Sequence, residues 1–405
     1  MASAIVKKLR GLHHDMHRKS NDLPDEVVLE ILLYLAAEHL QICKSVSGLW
    51  STLISNPKFV YKHLIRSQQH SEIEKIFYTT IAKPGRNSDR YNYRHYSIDN
   101  RLSDLTPRKL QLPHPAFEEN VLCLQASCDG LLLFKNMYDP KQLYISNPVT
   151  AQFMALPPVK DSGCQWALVR DNSIGRYKVF GVMAQYSFCV VTLGENGPPS
   201  FWDWHCFRRE KVWCSAMLSQ PILIKKELHW FSTDEDGEGP NLQPCYCICS
   251  VDIEKLCSRR TNVPLQLLTA SKRDIFEVCN CFAHHLLSEV NGSLCLTFVS
   301  HHQLQMFILE DVTNCAWTKS ITISLQSLYN LPLGSFLTED NCLVSMTGVN
   351  SSNLLDLVKV LIHFENELFL YDVKSQELKQ IGRLSKKQKL SKLYFCHSNS
   401  LVSCG

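Results

Sequence analysis

Leu23-Pro24-Asp25-Glu26-Val27-Val28-Leu29-Glu30-Ile31-Leu32-Leu33-Tyr34-Leu35 decides how the first part of this chain folds. Val27, Val28, Ile31, Leu32 and Leu35 fall at i, i+1, i+4, i+5 and i+8, one broad apolar face of a helix. Asp22 reads as its N-cap and Pro24 as a first-turn residue, where a missing N–H costs nothing. Asp25 and Glu26 sit near the positive end of the helix dipole. Moving outward, Leu40, Cys43 and Val46 repeat every third residue, and Leu49, Trp50, Leu53 and Ile54 close before the stop at Asn56-Pro57. Three short helices make a core too small to stand comfortably alone, so their apolar faces call for a partner.

Beyond about residue 72 the period becomes two. Leu143-Tyr-Ile-Ser, Lys178-Val-Phe-Gly-Val, Tyr246-Cys-Ile-Cys-Ser-Val and Leu368-Phe-Leu-Tyr read as short strands between Asn-Pro, Asp-Gly and Asn-Gly turns. An internal repeat runs through them: Asp or Asn after an apolar strand, a polar or small residue three on, an apolar one six on. Its copies are Asn147, Thr150, Phe153; Asp311, Asn314, Trp317; Asp372, Ser375, Leu378; and a weaker one at Asp252, where Ser258 breaks the rule. The anchors fall 105, 59 and 61 residues apart, close to propeller periods if two repeats fill the first gap. Strands opening at Asp129-Gly130 and Asn291-Gly292 add a hairpin to the unit. Two unrelated β-sandwiches are the competing architecture.

Composition narrows the class. The 405 residues allow two or three domains, and 45% hydrophobic against 20% charged residues exclude a wholly disordered chain. A net charge of +3 makes no case for nucleic acid or a membrane surface. The longest apolar run, Ile31 to Ala37, is far short of the ~20 residues of a membrane-spanning helix. Eighteen cysteines without an apolar leader are expected to be reduced core residues of a cytoplasmic or nuclear protein. Lys7, Lys8, Arg10, Arg18 and Lys19 against Asp15 leave a transit peptide as the lesser reading.

The helical stretch, with Leu40, Cys43-Lys44-Ser45-Val46-Ser47, Trp50, Leu53-Ile54 and Asn56-Pro57-Lys58-Phe59, resembles an F-box. The β region resembles the F-box-associated domain of plant-type F-box proteins, through Ser127-Cys-Asp-Gly-Leu-Leu, Ser146-Asn-Pro-Val-Thr, Leu156-Pro-Pro, Tyr177-Lys-Val and Leu309-Glu-Asp with Trp317. Two positions depart from the family's pattern. Ala36-Ala37-Glu38-His39 replaces a Pro-Val-Lys-Ser-like link, and Gly48 stands where a basic residue is usual. The β region has no Gly-Gly pair, so it lacks the kelch signature, and one Trp202-Asp203 does not make WD40 repeats.

The resemblance implies a multidomain α plus all-β fold: a basic tail over 1–20, a three-helix F-box over 21–66, linker and first strands over 67–120, and a β-propeller-like domain of about six blades over 121–405. It implies a non-catalytic substrate receptor of an SCF-type cullin–RING ubiquitin ligase. Leu23, Pro24, Val27, Ile31, Leu32, Leu40, Cys43, Lys44, Val46 and Trp50 match the positions that form or support the contact with a Skp1-like adaptor, and through it a cullin. An unknown protein target would bind the β domain. The acidic turn of Asp234, Glu235, Asp236 and Glu238 is the candidate target loop, suited to a basic partner, with a merely solvated turn as the blander reading. The alternatives are a propeller enzyme or lectin, or an F-box protein acting outside a ligase.

No cofactor or metal is expected. Cys245, Cys247 and Cys249 share a strand face, as core cysteines do, and zinc would need Cys279, Cys281, His284 or His285 as well. His13, His14 and His17 lie in a polar tail. Tyr91, Tyr93, Arg94, His95 and Tyr96 interleave aromatic and basic groups, as nucleic-acid surfaces do, but a strand with mixed faces explains them equally well. No phosphate-cradling loop or nucleophile motif is present.

Overall fold

The computed structural model describes residues 24–70, 75–82, 91–99, 108–110, 112, 115–119, 121–160, 165–182, 188–194, 204–207, 216–217, 221–235, 244–263, 287–290, 292–300, 303–311, 316–324, 342–346, 358–364, 367–372, 374–383, 388–397 and 399–404. Four helices lead: α1 (Asp25–Leu33), α2 (Ala37–Cys43), α3 (Gly48–Ser55) and α4 (Pro57–His70).

Helix α1 starts two residues later than an N-cap at Asp22 predicts. Pro24 is its N-cap, with extended backbone at ψ 143°, and its carbonyl accepts from the N–H groups of Val27 and Val28. The Ser47 side chain accepts from Trp50 N at 3.1 Å and opens α3. Asn56-Pro57 ends α3, as expected, and also starts α4, which the sequence reading left out. Asn56 Oδ1 accepts from Lys58 N at 2.9 Å, and Pro57 takes the first helical position, where its lost donor is not needed. His63 Nε2 of α4 donates to Leu35 O at 2.8 Å, satisfying a carbonyl just past the end of α1.

Six antiparallel sheets follow among the described residues. Sheet one is β25 (Gln388–His397), β1 (Lys75–Ala82), β2 (Asn92–Asp99) and β3 (Arg108–Lys109). Sheet two holds β4 (Leu122–Cys128), β5 (Leu131–Asn136), β6 (Leu143–Asn147) and β7 (Gln152–Ala155). Sheet three holds β8 (Gln165–Asp171), β9 (Arg176–Val182), β10 (Phe188–Thr192) and β11 (His205–Phe207). Sheet four pairs β12 (Ala216–Met217) and β13 (Ile222–Ile224) with β14 (Glu227–Glu235), then β15 (Pro244–Asp252) and β16 (Ser258–Asn262). Sheet five is β17 (Leu287–Val290), β18 (Ser293–Ser300), β19 (Gln303–Asp311) and β20 (Ala316–Ser324). Sheet six is β21 (Cys342–Met346), β22 (Val358–Phe364), β23 (Glu367–Asp372) and β24 (Glu377–Arg383). A short helix, α5 (Pro115–Glu118), joins sheets one and two.

The arrangement is a β-propeller. Strand β25 comes from the far end of the chain yet pairs with β1 from Lys75↔His397 to Ala82↔Gln388, so sheet one joins both ends and closes the ring. Among the described residues, apolar layers fill the gaps from sheet one through sheet five. Phe77, Leu124 and Phe134 lie between sheets one and two, and Leu133, Ile145, Trp166 and Val179 between two and three. Phe180, Leu228 and Trp230 lie between three and four, and Phe231, Ile248 and Leu296 between four and five. Gly181 of β9 admits the Trp166 ring: a Cβ there would stand 2.6 Å from Cζ3 of Trp166 and 2.7 Å from Cys189 Sγ.

The repeat anchors have one structural meaning. Asn147, Asp252, Asp311 and Asp372 each end the third strand of a sheet. Asp252 Oδ1 accepts from Glu254 N at 2.9 Å and Lys255 N at 2.8 Å, and Asp372 Oδ1 from Lys374 N and Ser375 N at 3.0 Å each. Four residues past the anchor the backbone turns left-handed, at Ala151 (φ 56°), Leu256 (φ 56°) and Gln376 (φ 57°). The copy at Asp252 is therefore as complete as the others. Sheet three, whose third strand ends at Thr192, accounts for the double first gap.

Candidate functional site

On α1 and its C-cap, Val27, Ile31 and Tyr34 fall at i, i+4 and i+7 and are 41, 52 and 70% exposed. Leu49 of α3 is also exposed, and the Arg66 guanidinium lies 3.5 Å from the centre of the Tyr34 ring, holding it in place. Next to that stripe the chain turns inward. Leu32, Leu40, Cys43, Ile54 and Phe59 form the buried helical core, with Trp50 packed against it. Of the ten residues singled out for adaptor contact, Pro24, Val27 and Ile31 are exposed, Lys44, Val46 and Trp50 are half-buried, and Leu32, Leu40 and Cys43 are support. Leu23 lies outside the described residues. Tyr34 and Leu49 were not singled out. The only signal for Tyr34 was its spacing of three from Ile31.

Parts of α2 and α4 meet the ring. Leu64 of α4 enters the apolar layer between sheets two and three. Arg170 of β8 lies 4.7 Å from the Tyr61 ring centre and 3.9 Å from Asp129, whose Oδ2 accepts from Tyr177 Oη at 3.0 Å. Glu38, the acid standing in the family's basic link, accepts from Lys75 Nζ at 3.0 Å and from Asn399 Nδ2. That departure is thus an internal contact between helices and ring. Gly48, the second departure, has open space where a Cβ would stand.

The turns distinguish the two ends of the ring. At one end of the ring Lys178 of β9 pairs with Asp171 at 2.7 Å and donates to Ile253 O at 2.7 Å, holding the β15–β16 turn beside the β8–β9 turn. Lys226, in the β13–β14 turn, pairs with Glu254 at 2.8 Å. Arg170, next to Asp171, is the residue that touches Tyr61, so this end faces the helices. Strands β14 and β15 pair out to Asp234↔Cys245 and Glu235↔Pro244, and the connection between them leaves from the opposite end. Asp236 and Glu238 lie outside the described residues.

The other candidates are structural. His95 is buried between Thr79 Oγ1 at 2.9 Å and Leu122 O at 3.1 Å, and desolvation holds its pKa down to about 4. Tyr93 is buried beside exposed Arg94, a strand with mixed faces. Cys247 and Cys249 are buried with sulfurs 3.8 Å apart, and no group of three metal-ligating side chains occurs among the described residues. Cys279, Cys281, His284, His285 and the three histidines before residue 20 lie outside them. No described helix is long and apolar enough to cross a membrane.

Residues 20–67 match the F-box-like family model. The N-terminal module is an F-box-like domain. Among relatives, an F-box/kelch-repeat protein of Arabidopsis thaliana is 24% identical over 52% of this chain and 53% of its own length. An F-box protein of the same plant is 25% identical over 47% of this chain and 48% of its own. The chain spans about half the length of these first relatives. A third Arabidopsis F-box protein is 24% identical over 74% of this chain and 71% of its own length. These likenesses support a plant-type F-box protein. The Nup133 β-propeller domain of Vanderwaltozyma polyspora covers 78% of this chain and 94% of its own, at a TM-score of 0.35 and 11% identity. The propeller assignment rests instead on the six sheets and the β25–β1 closure. F-box proteins are typically adaptors without catalysis of their own.

Proposed function

We propose that this chain is the substrate receptor of an SCF-type ubiquitin ligase, docking on a Skp1-like adaptor through α1 and α3 and recruiting a protein target on the propeller. The observation that carries the reading is the exposed stripe of Val27, Ile31 and Tyr34 beside the module's own filled core. Apolar side chains on one helix face, left wet beside a filled core, are an interface waiting for its partner. Lys44, half-buried and with its pKa lowered by that burial, supplies a polar rim. The adaptor would bring the cullin.

The target side follows from the layout. Described contacts place the helices at one end of the ring, and the target is assigned to the other, where the β14–β15 pairing ends at Glu235↔Pro244. Reconstitution tests the proposal. The full chain should co-purify with a Skp1-like adaptor and support ubiquitin transfer in the assembled complex. Failure to bind the adaptor overturns the reading, and binding without transfer favours an F-box protein working outside a ligase.

A further inference from the structure

One turn of the ring differs from its repeats in a single kind of atom. Asp252 and Asp372 hold their turns through an oxygen that accepts from two backbone N–H groups. Asn147 does the same with Oδ1, accepting from Val149 N at 2.9 Å and Thr150 N at 3.4 Å. An aspartate would serve that turn equally well. It would lack the donor on the other side: Asn147 Nδ2 donates to Ser400 O at 3.1 Å and to Val402 O at 2.8 Å, all of it buried.

Residues 399–404 are built into the same place from both sides. Asn399 donates to Glu38 of α2, and Leu401 enters the F-box core beside Val149. On the ring side, Val402 and Cys404 enter the layer between sheets two and three, and Cys404 N donates to Gln152 Oε1 at 3.0 Å. Ser400 Oγ donates to Asp129 O. Gly130, at φ 84°, leaves the space: a Cβ there would lie 2.2 Å from Ser400 Oγ.

We infer that residues 399–404 are a staple between the F-box and the propeller, with Asn147 as its lock and the angle between the two domains as what it sets. The functional half of the inference rests on the receptor reading. A target held on the ring meets the machinery carried by the adaptor only through that angle, so Asn147 is a positioning residue. It touches neither the exposed adaptor stripe nor the far end of the ring.

Asn147→Asp in the full chain tests this, because it keeps the turn acceptor and sets a carboxylate against two carbonyls. Hydrogen exchange at Val402 and Cys404 should speed up by about 100-fold, since two buried hydrogen bonds are lost. Exchange within the six sheets and adaptor affinity should stay within twofold of wild type, while ubiquitin transfer falls. Leu401→Ala, which removes the apolar anchor on the helix side and leaves Asn147 alone, should give the same pattern: faster exchange at Val402 and Cys404 and less transfer, with sheet exchange and adaptor affinity held. Unchanged exchange at Val402 and Cys404, or exchange rising equally throughout the ring, overturns the staple. Transfer that falls only in step with adaptor affinity, or does not fall, overturns its positioning role. Wild-type chain that binds no adaptor refutes the receptor reading instead, and the exchange result still judges the lock.

Discussion

Ile31 and Leu40 stand nine residues apart in one small module, and truncating each should do opposite things. Ile31 is 52% exposed, so an adaptor that covers it removes about half an isoleucine side chain from water, worth ~1–1.5 kcal/mol. Ile31→Ala should therefore weaken adaptor binding by about five- to tenfold and leave folding stability within ~0.5 kcal/mol. Tyr34, more exposed still, should behave alike. Leu40 is fully buried among Leu32, Cys43 and Ile54, and Leu40→Ala opens a cavity there at a cost of ~2–5 kcal/mol of stability. Its effect on affinity should track only the unfolded fraction. Titration calorimetry against a Skp1-like adaptor reads the first quantity and urea unfolding the second. If Ile31→Ala and Tyr34→Ala both melt like wild type and bind within twofold of it, the stripe is not the docking surface and the reasoning from exposure fails.

Three further outcomes are expected. Burial holds His95 and His229 down to about 4 in the fold against 6.5 for a free histidine, so the unfolded chain takes up protons first as the pH drops. Stability should then decline between pH 6.5 and 4, by about 2 kcal/mol per histidine at pH 5, and urea midpoints unchanged from pH 7.5 to 5 would contradict this. Gly181→Ala forces a methyl group into the Trp166 ring and should lower stability by ~1–3 kcal/mol, measured by urea unfolding, and an unchanged midpoint would mean the ring has room to move. Replacing Asp234, Glu235, Asp236 and Glu238 by their amides should slow turnover of a basic target in cells without altering adaptor binding, and unchanged turnover removes this loop from the recognition surface.

Much of the site was legible in the chain because helices and turns are local. The i, i+4 spacing that makes α1 amphipathic is written within nine residues, and the Asx turns at Asn147, Asp252 and Asp372 need only the next three. Helix α4 was missed for a local reason too: Asn-Pro ends one helix and starts another with the same chemistry, and only the residues packed on Phe59 and Leu64 tell the two apart. Among the described residues, Cys43, Cys189, Cys247 and Cys404 are small members of apolar cores.

By itself the sequence determined that a helical module precedes a ring of repeated antiparallel sheets, and which residues turn the strands. Tertiary structure alone decided which half of α1's broad apolar face stays wet, because Leu32 and Ile31 are equally apolar and only the packing of α2, α3 and α4 separates them. It also decided why position 147 is an asparagine. The carbonyls that need its amide lie more than 250 residues away, and no local pattern can encode a hydrogen bond to a partner that arrives only when the ring has closed.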